Sequence, residues 1–162
     1  MSPSGTSAIS IADGKDFVAS TGAQFDLIVV DSTDPSGPGE PLFHESFYKD
    51  CRRVLRPGGV LVTQNGVPFF QAAELEQTMR AFGRLFADST CYLAAVPTYI
   101  GGFMAFGWGT DDAALRKVPI ETLADRLAAS GIAMRYYTPE VHQASFALPQ
   151  FILDIVERGR RG

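Results

Sequence analysis

The run Phe25-Asp26-Leu27-Ile28-Val29-Val30, closing on Asp31, constrains this chain more than any other stretch. A near-continuous apolar run of this length, ended by a polar residue, is how a strand buried on both faces of a parallel sheet reads. Ligands of open α/β sheets bind beyond the carboxyl ends of the strands, so a site is expected at Asp31 and the residues after it.

The following residues fit such a sheet. After a polar, Pro/Gly-rich loop at 32–42, Phe43, Phe47, Cys51, Val54 and Leu55 recur at helical spacing, and Arg56-Pro57-Gly58-Gly59 is expected to stop that helix. Val60-Leu61-Val62-Thr63-Gln64 reads as a second buried strand with polar residues at its end. Leu75, Met79, Phe82 and Phe86 mark an amphipathic helix from about 70 to 86. Strand, helix, strand, helix in this order is the grammar of an α/β sheet with helices on both faces. Segment 91–109 has no charged residue and is about long enough to cross a bilayer, but Pro97 and the pair Gly101-Gly102 interrupt it. Two antiparallel strands, at 89–97 and 103–108, fit it better. A helix starting near Pro119 is expected to bury Ile120, Leu123 and Leu127 and to end at Gly131; a last helix is expected around Phe151-Ile152-Leu153 and Ile155-Val156. Ahead of all this, Ile9-Ser10-Ile11-Ala12 reads as a short strand, followed by a turn at Asp13-Gly14 and a weak helix through Phe17-Val18-Ala19.

With 162 residues, 46% of them apolar and 20% charged, the chain has the makeup of one soluble globular domain. A net charge of −4 and the lack of clustered Lys/Arg argue against nucleic acid and favour a cationic ligand. Cys51 and Cys91 have no metal-ligand spacing, so they are expected to be reduced thiols of a cytoplasmic protein, with neither disulfide nor metal. The first seven residues have no basic start and no apolar stretch, so neither secretion nor a membrane partner is expected.

Asp31 and Asp34 stand three residues apart at the end of the first strand. Asp34 precedes Pro35, which biases its backbone toward extended geometry; Pro35 and Pro38 stiffen the loop, and Gly37 allows close approach. A stiff acidic loop at a strand end can hold a cation. The same two carboxylates could equally serve as N-cap or Asx-turn residues at a strand-to-helix junction, and chemistry alone leaves both readings open.

The loop Asp31-Ser32-Thr33-Asp34-Pro35-Ser36-Gly37-Pro38 resembles the signature loop of polyamine aminopropyltransferases, the spermidine synthase family. Three more segments resemble that family in the same order: Ile11-Ala12-Asp13-Gly14, Pro97-Thr98-Tyr99-Ile100-Gly101-Gly102, and the stretch 136–149 that begins Tyr136-Tyr137-Thr138-Pro139. Leu55-Arg56-Pro57-Gly58-Gly59 is similar to the wider methyltransferase-like fold. The resemblance implies a partial Rossmann-like sheet of the class I methyltransferase type, with flanking helices and a late antiparallel hairpin. It also implies transfer of an aminopropyl group from decarboxylated S-adenosylmethionine to putrescine, giving spermidine and methylthioadenosine, with no permanently bound cofactor. By match to the family's motifs, Asp31 is the proton acceptor and touches the cosubstrate. Asp34, Gln64 and Tyr99 hold the polyamine, and Asp13, Gly14, Ser32 and Pro38 contact the cosubstrate. Gln64 and Tyr99 could also be polar groups satisfied locally, and Asp13-Gly14 taken alone is a turn. His142 is read as structural.

The resemblance spans 9–162 and leaves 1–8 unmatched, as if it began inside the family's catalytic domain. Neither the family's Gly-rich cosubstrate loop nor its ribose-binding carboxylate is found. An unpaired apolar edge beside the strand at 25–30 is therefore expected, and with it aggregation, rearrangement, or completion as a homo-oligomer or by a complementing chain. The chain by itself is then either an inactive fragment or one part of an active complex. An amine methyltransferase and a non-catalytic polyamine-binding remnant are the alternative functions.

Overall fold

The computed structural model describes residues 7–32 and 37–162. Among them four strands, β1 (Phe25–Val30), β2 (Leu55–Gln64), β3 (Asp88–Ala95) and β4 (Phe103–Thr110), form one sheet in the order β1-β2-β4-β3. β1 and β2 are parallel, whereas β4 is antiparallel to both of its neighbours. The helices are α1 (Gly14–Ser20), α2 (Glu45–Val54), α3 (Ala72–Leu85), α4 (Ile120–Ser130), α5 (Pro139–Ser145) and α6 (Gln150–Arg161). This is the expected α/β class, late antiparallel hairpin included.

One face of the sheet carries the main core. Phe47, Tyr48, Cys51 and Val54 of α2, Leu75, Met79 and Phe82 of α3, and Ile152, Ile155 and Val156 of α6 pack over Leu61, Cys91 and Ala105. Tyr48 and Phe82 meet edge to face with ring centroids 5.0 Å apart. α6 lies against α3 so closely that a Cβ on Gly159 would stand 2.6 Å from the Glu76 carbonyl oxygen, and only glycine fits there. Both cysteines are buried and unbridged; burial pushes each thiol up to about 12, so neither is a nucleophile at neutral pH. Among the described residues no helix is long and apolar enough to cross a membrane.

The opposite face is covered only in part. α5 places Phe146 against the rings of Tyr92 and Trp108, at centroid distances of 5.6 and 5.5 Å. α5 is itself an addition to the sequence reading. The Thr138 hydroxyl accepts the Val141 N–H, and Pro139 occupies the first turn.

Four expectations need correction. β1 is not buried on both faces: Leu27 and Val29 are 56% and 61% exposed, because β1 is an edge strand and nothing described covers that side. Residues 9–12 form no strand, and Ile9 and Ile11 are 92% and 100% exposed. An isolated extended segment has no partner for its backbone groups, and no described strand lies beside this one. α2 does end ahead of Arg56-Pro57-Gly58-Gly59, at Val54, but the next strand does not wait for Val60. The strand starts at Leu55, and pairing jumps from Phe25↔Leu55 to Leu27↔Val60, so these residues form a bulge with Gly58 at φ 76°. In α4 only Leu123 is buried; Ile120 and Leu127 are half-covered, since the helix rests mainly on α5.

An exposed apolar edge strand is a template for self-pairing. Val29→Lys is expected to reduce self-association in concentration-dependent light scattering at a stability cost within about 0.5 kcal/mol, as for other surface substitutions. Unchanged association would remove β1 from the contact.

Candidate active site

Parallel pairing of β1 with β2 sends both strands out at the same edge of the sheet, and the β3–β4 turn opens at that edge too. Asp31 follows β1, Gln64 ends β2, and Tyr99 lies in the turn. The three side chains, with Val29, Val30, Val96, Met104 and Phe106, line an open cavity of about 360 Å³. Asp31 and Tyr99 are exposed at its rim, Gln64 is half-buried, and Met104 is buried in its wall.

The lining is apolar, with a carboxylate, an amide and a phenol at the rim. Such a combination suits an alkylammonium ligand. The methylenes would lie against valine, methionine and phenylalanine, while the ammonium finds one negative charge and two neutral hydrogen-bond acceptors.

The turn carrying Tyr99 is held in place by its neighbours. The Tyr99 N–H donates to the Val96 carbonyl over 3.0 Å. Gly101 and Gly102 adopt φ of 118° and 107°, which L side chains rarely do, and a Cβ on Gly101 would come within 2.2 Å of the Phe70 ring. Phe70 belongs to a second turn, braced by the Val67 N–H donating to Gln71 Oε1 over 2.9 Å. Tyr99 is thereby seated on the turn that follows β2.

Other expected site residues lie apart from this cavity or outside the described residues. Asp13 caps α1, its Oδ1 accepting the N–H groups of Lys15 and Asp16 over 2.8 and 3.3 Å. Gly14 faces Leu42 of the 3-10 turn Gly37–Phe43, where Pro38 also lies. Ser32 is half-buried directly after Asp31. Asp34 lies outside the described residues. Val96, Met104 and Phe106 were missed as lining residues, because in sequence they read as ordinary strand positions; the strand alternation through 103–108 was the available signal.

Two other hollows lack this chemistry. A larger one, about 560 Å³, lies at the opposite edge of the sheet, and its arginines are already paired: Arg52 with Asp111 at 2.9 Å and Arg56 with Asp26 at 2.6 Å. An aromatic groove of about 390 Å³ on the half-covered face contains His142. His142 Nδ1 lies 3.3 Å from the Tyr137 hydroxyl, and burial pushes its pKa down, as fits a neutral structural histidine.

The sequence profile of the Spermine/spermidine synthase domain matches residues 6–118. A polyamine aminopropyltransferase of Pseudomonas syringae pv. tomato is 55% identical over 148 residues, 91% of this chain and 52% of that protein. One from Ruegeria sp. is 56% identical over 142 residues, 88% of this chain and 50% of that protein. A crystal structure of spermidine synthase with the transition state analogue AdoDATO superposes with a TM-score of 0.83 at 30% identity, covering 93% of this chain and 50% of that one. The chain thus spans about half the length of the curated relatives it matches.

Gly101→Ala tests the seating of Tyr99. Placing a side chain at φ 118° is expected to cost about 1–3 kcal/mol, read as a lowered thermal midpoint. An unchanged midpoint would show that the turn tolerates a side chain there.

Proposed function

The chain belongs to the spermine/spermidine synthase family, and on that premise we propose that it supplies the amine-binding side of an aminopropyltransferase site. The reaction moves the aminopropyl group of decarboxylated S-adenosylmethionine to putrescine. The observation that carries this reading is the convergence of Asp31, Gln64 and Tyr99 around one apolar-walled cavity.

Each group has a task in that chemistry. An alkyl amine titrates near the lysine value, so the attacking nitrogen starts protonated and must lose a proton. The Asp31 carboxylate stands at the rim and accepts it. The freed lone pair attacks the methylene next to the sulfonium, a new C–N bond forms and the C–S bond breaks. Methylthioadenosine departs as a neutral thioether, so no general acid is required. Gln64 and Tyr99 orient the amine, Asp34 holds it electrostatically, and fixing the nitrogen in line with the breaking bond supplies the proximity term. Asp13, Gly14, Ser32 and Pro38 serve the cosubstrate, with Leu42 placing Gly14 beside the turn that contains Pro38.

The acidic rim also separates this reaction from methyl transfer. Decarboxylated S-adenosylmethionine presents an ammonium where S-adenosylmethionine adds a carboxylate. Asp31 attracts the first and repels the second. The exposed face and free edge of β1 are the surface we assign to a complementing chain, and the two buried thiols suit the reducing cytoplasm.

The test is mass spectrometry of methylthioadenosine and spermidine formed from decarboxylated S-adenosylmethionine and putrescine. Asp31→Asn is expected to lower the rate by about 10²–10⁴-fold, the usual worth of a general base, with the thermal midpoint unchanged. Undiminished turnover in that variant would assign the proton to another group, and no product from folded wild-type protein would contradict activity of the chain by itself.

A further inference from the structure

Directly after Gln64 the chain buries an asparagine for which the reaction has no use. Asn65 is inaccessible to solvent and lies on the core side of the sheet, opposite the cavity that Gln64 faces. Its Oδ1 accepts two hydrogen bonds, from the Gly107 N–H over 2.9 Å and from the Thr63 hydroxyl over 2.9 Å. Its Nδ2 donates to Thr78 Oγ1 over 2.7 Å, and that oxygen lies 3.4 Å from the Tyr48 hydroxyl. The Asn65 backbone N–H donates to the Ala105 carbonyl over 2.9 Å. The amide orientation follows from chemistry: a backbone N–H can only donate, so the oxygen must face Gly107.

The surroundings are shaped around this side chain. A Cβ on Gly107 would stand 2.5 Å from Thr63 Oγ1 and 2.7 Å from Asn65 Oδ1, so glycine there leaves the space the amide needs. The network joins β2, β4, α3 and α2. Burial keeps the Tyr48 hydroxyl protonated, its pKa pushed up to about 12, so it remains a neutral member of the network throughout the neutral range. A buried polar cluster satisfied from four elements holds its backbone more rigidly than apolar packing would.

We propose that Asn65 is a positioning residue, fixing from the core side the backbone from which Gln64 reaches the amine. This rests on the assignment of Gln64 to the amine made above. Thr63 and Asn65 flank Gln64 in sequence, and both are tied down on the face away from the cavity. Releasing Asn65 therefore loosens the strand end without removing any group that touches the ligand.

The test is a double-mutant cycle in the full chain, with putrescine as the variable substrate. Asn65→Ala is expected to raise the putrescine KM by about tenfold, with a smaller change in kcat, as small misplacements of a binding group do. In a Gln64→Ala background the same change is expected to add nothing further, because Asn65 acts through Gln64. An equal rise in both backgrounds would show a general structural role and overturn the proposal. Should Asn65→Ala fail to fold, Thr78→Val, which keeps the shape and removes the acceptor for Nδ2, is expected to give a smaller rise of the same non-additive kind; an additive one overturns it. Should the wild-type chain neither bind nor convert putrescine, the functional reading has failed. The positioning claim is then judged on ¹⁵N backbone relaxation: a loss of order at residues 64–66 in the Asn65 or Thr78 variant supports it, and unchanged order at Gln64 overturns it.

Discussion

The parallel pairing of β1 with β2 is the constraint on which the site depends. Val30 pairs with Thr63, so Asp31 and Gln64 leave the sheet one residue beyond a shared register at the same edge. An antiparallel pairing would have sent one of them to the opposite end of the molecule, more than the length of a strand away. The crossover that parallel pairing demands is also what carries α2 onto the core face, where Tyr48 meets Thr78 and Phe82. The antiparallel hairpin of β3 and β4 then returns its turn to the same edge and brings Tyr99 in.

The two faces of the sheet divide the labour. On the core face, Leu61, Cys91 and Ala105 are sealed under α2, α3 and α6, and the Asn65 network sits among apolar neighbours. On the other face lie Leu27, Val29, Phe106 and the aromatic groove beside α5. Alternation along a strand means that one residue step separates the two regimes: Thr63 and Asn65 point into the core, and Gln64 into the cavity. An edge built this way is rigid underneath and accessible above, which suits the proposed task of orienting a flexible diamine.

Much of this was legible in the sequence. The apolar runs ending in Asp31 and Gln64 placed both strands and the edge of the sheet that bears the site, and the helical spacing of Leu75, Met79 and Phe82 placed α3. Asp31, Gln64 and Tyr99 were named from resemblance, and they line a single cavity. What could not be read was tertiary. Leu27 and Val29 look like core in sequence because apolarity reports what a face prefers, not whether a neighbour covers it. The run at 9–12 has strand composition but no described strand beside it, and composition cannot supply a ladder. Arg56-Pro57-Gly58-Gly59 has the residues of a break, yet a bulge accommodates them within a strand. Nothing in the sequence sets Asn65 apart from the polar residues around the end of β2, and only its partners from β4 and α3 reveal a buried hub.

The central claim is that the cavity of Asp31, Gln64 and Tyr99 receives the amine, and amide chemical-shift mapping of the ¹⁵N-labelled chain during a putrescine titration tests it most directly. The account expects saturable shifts concentrated at Asp31, Gln64, Tyr99 and Met104, with little change around Arg52 and Asp111 at the other end of the sheet. Shifts centred on the Arg52 hollow or on the aromatic groove beside α5, with the residues of the Asp31 cavity unmoved, would contradict it.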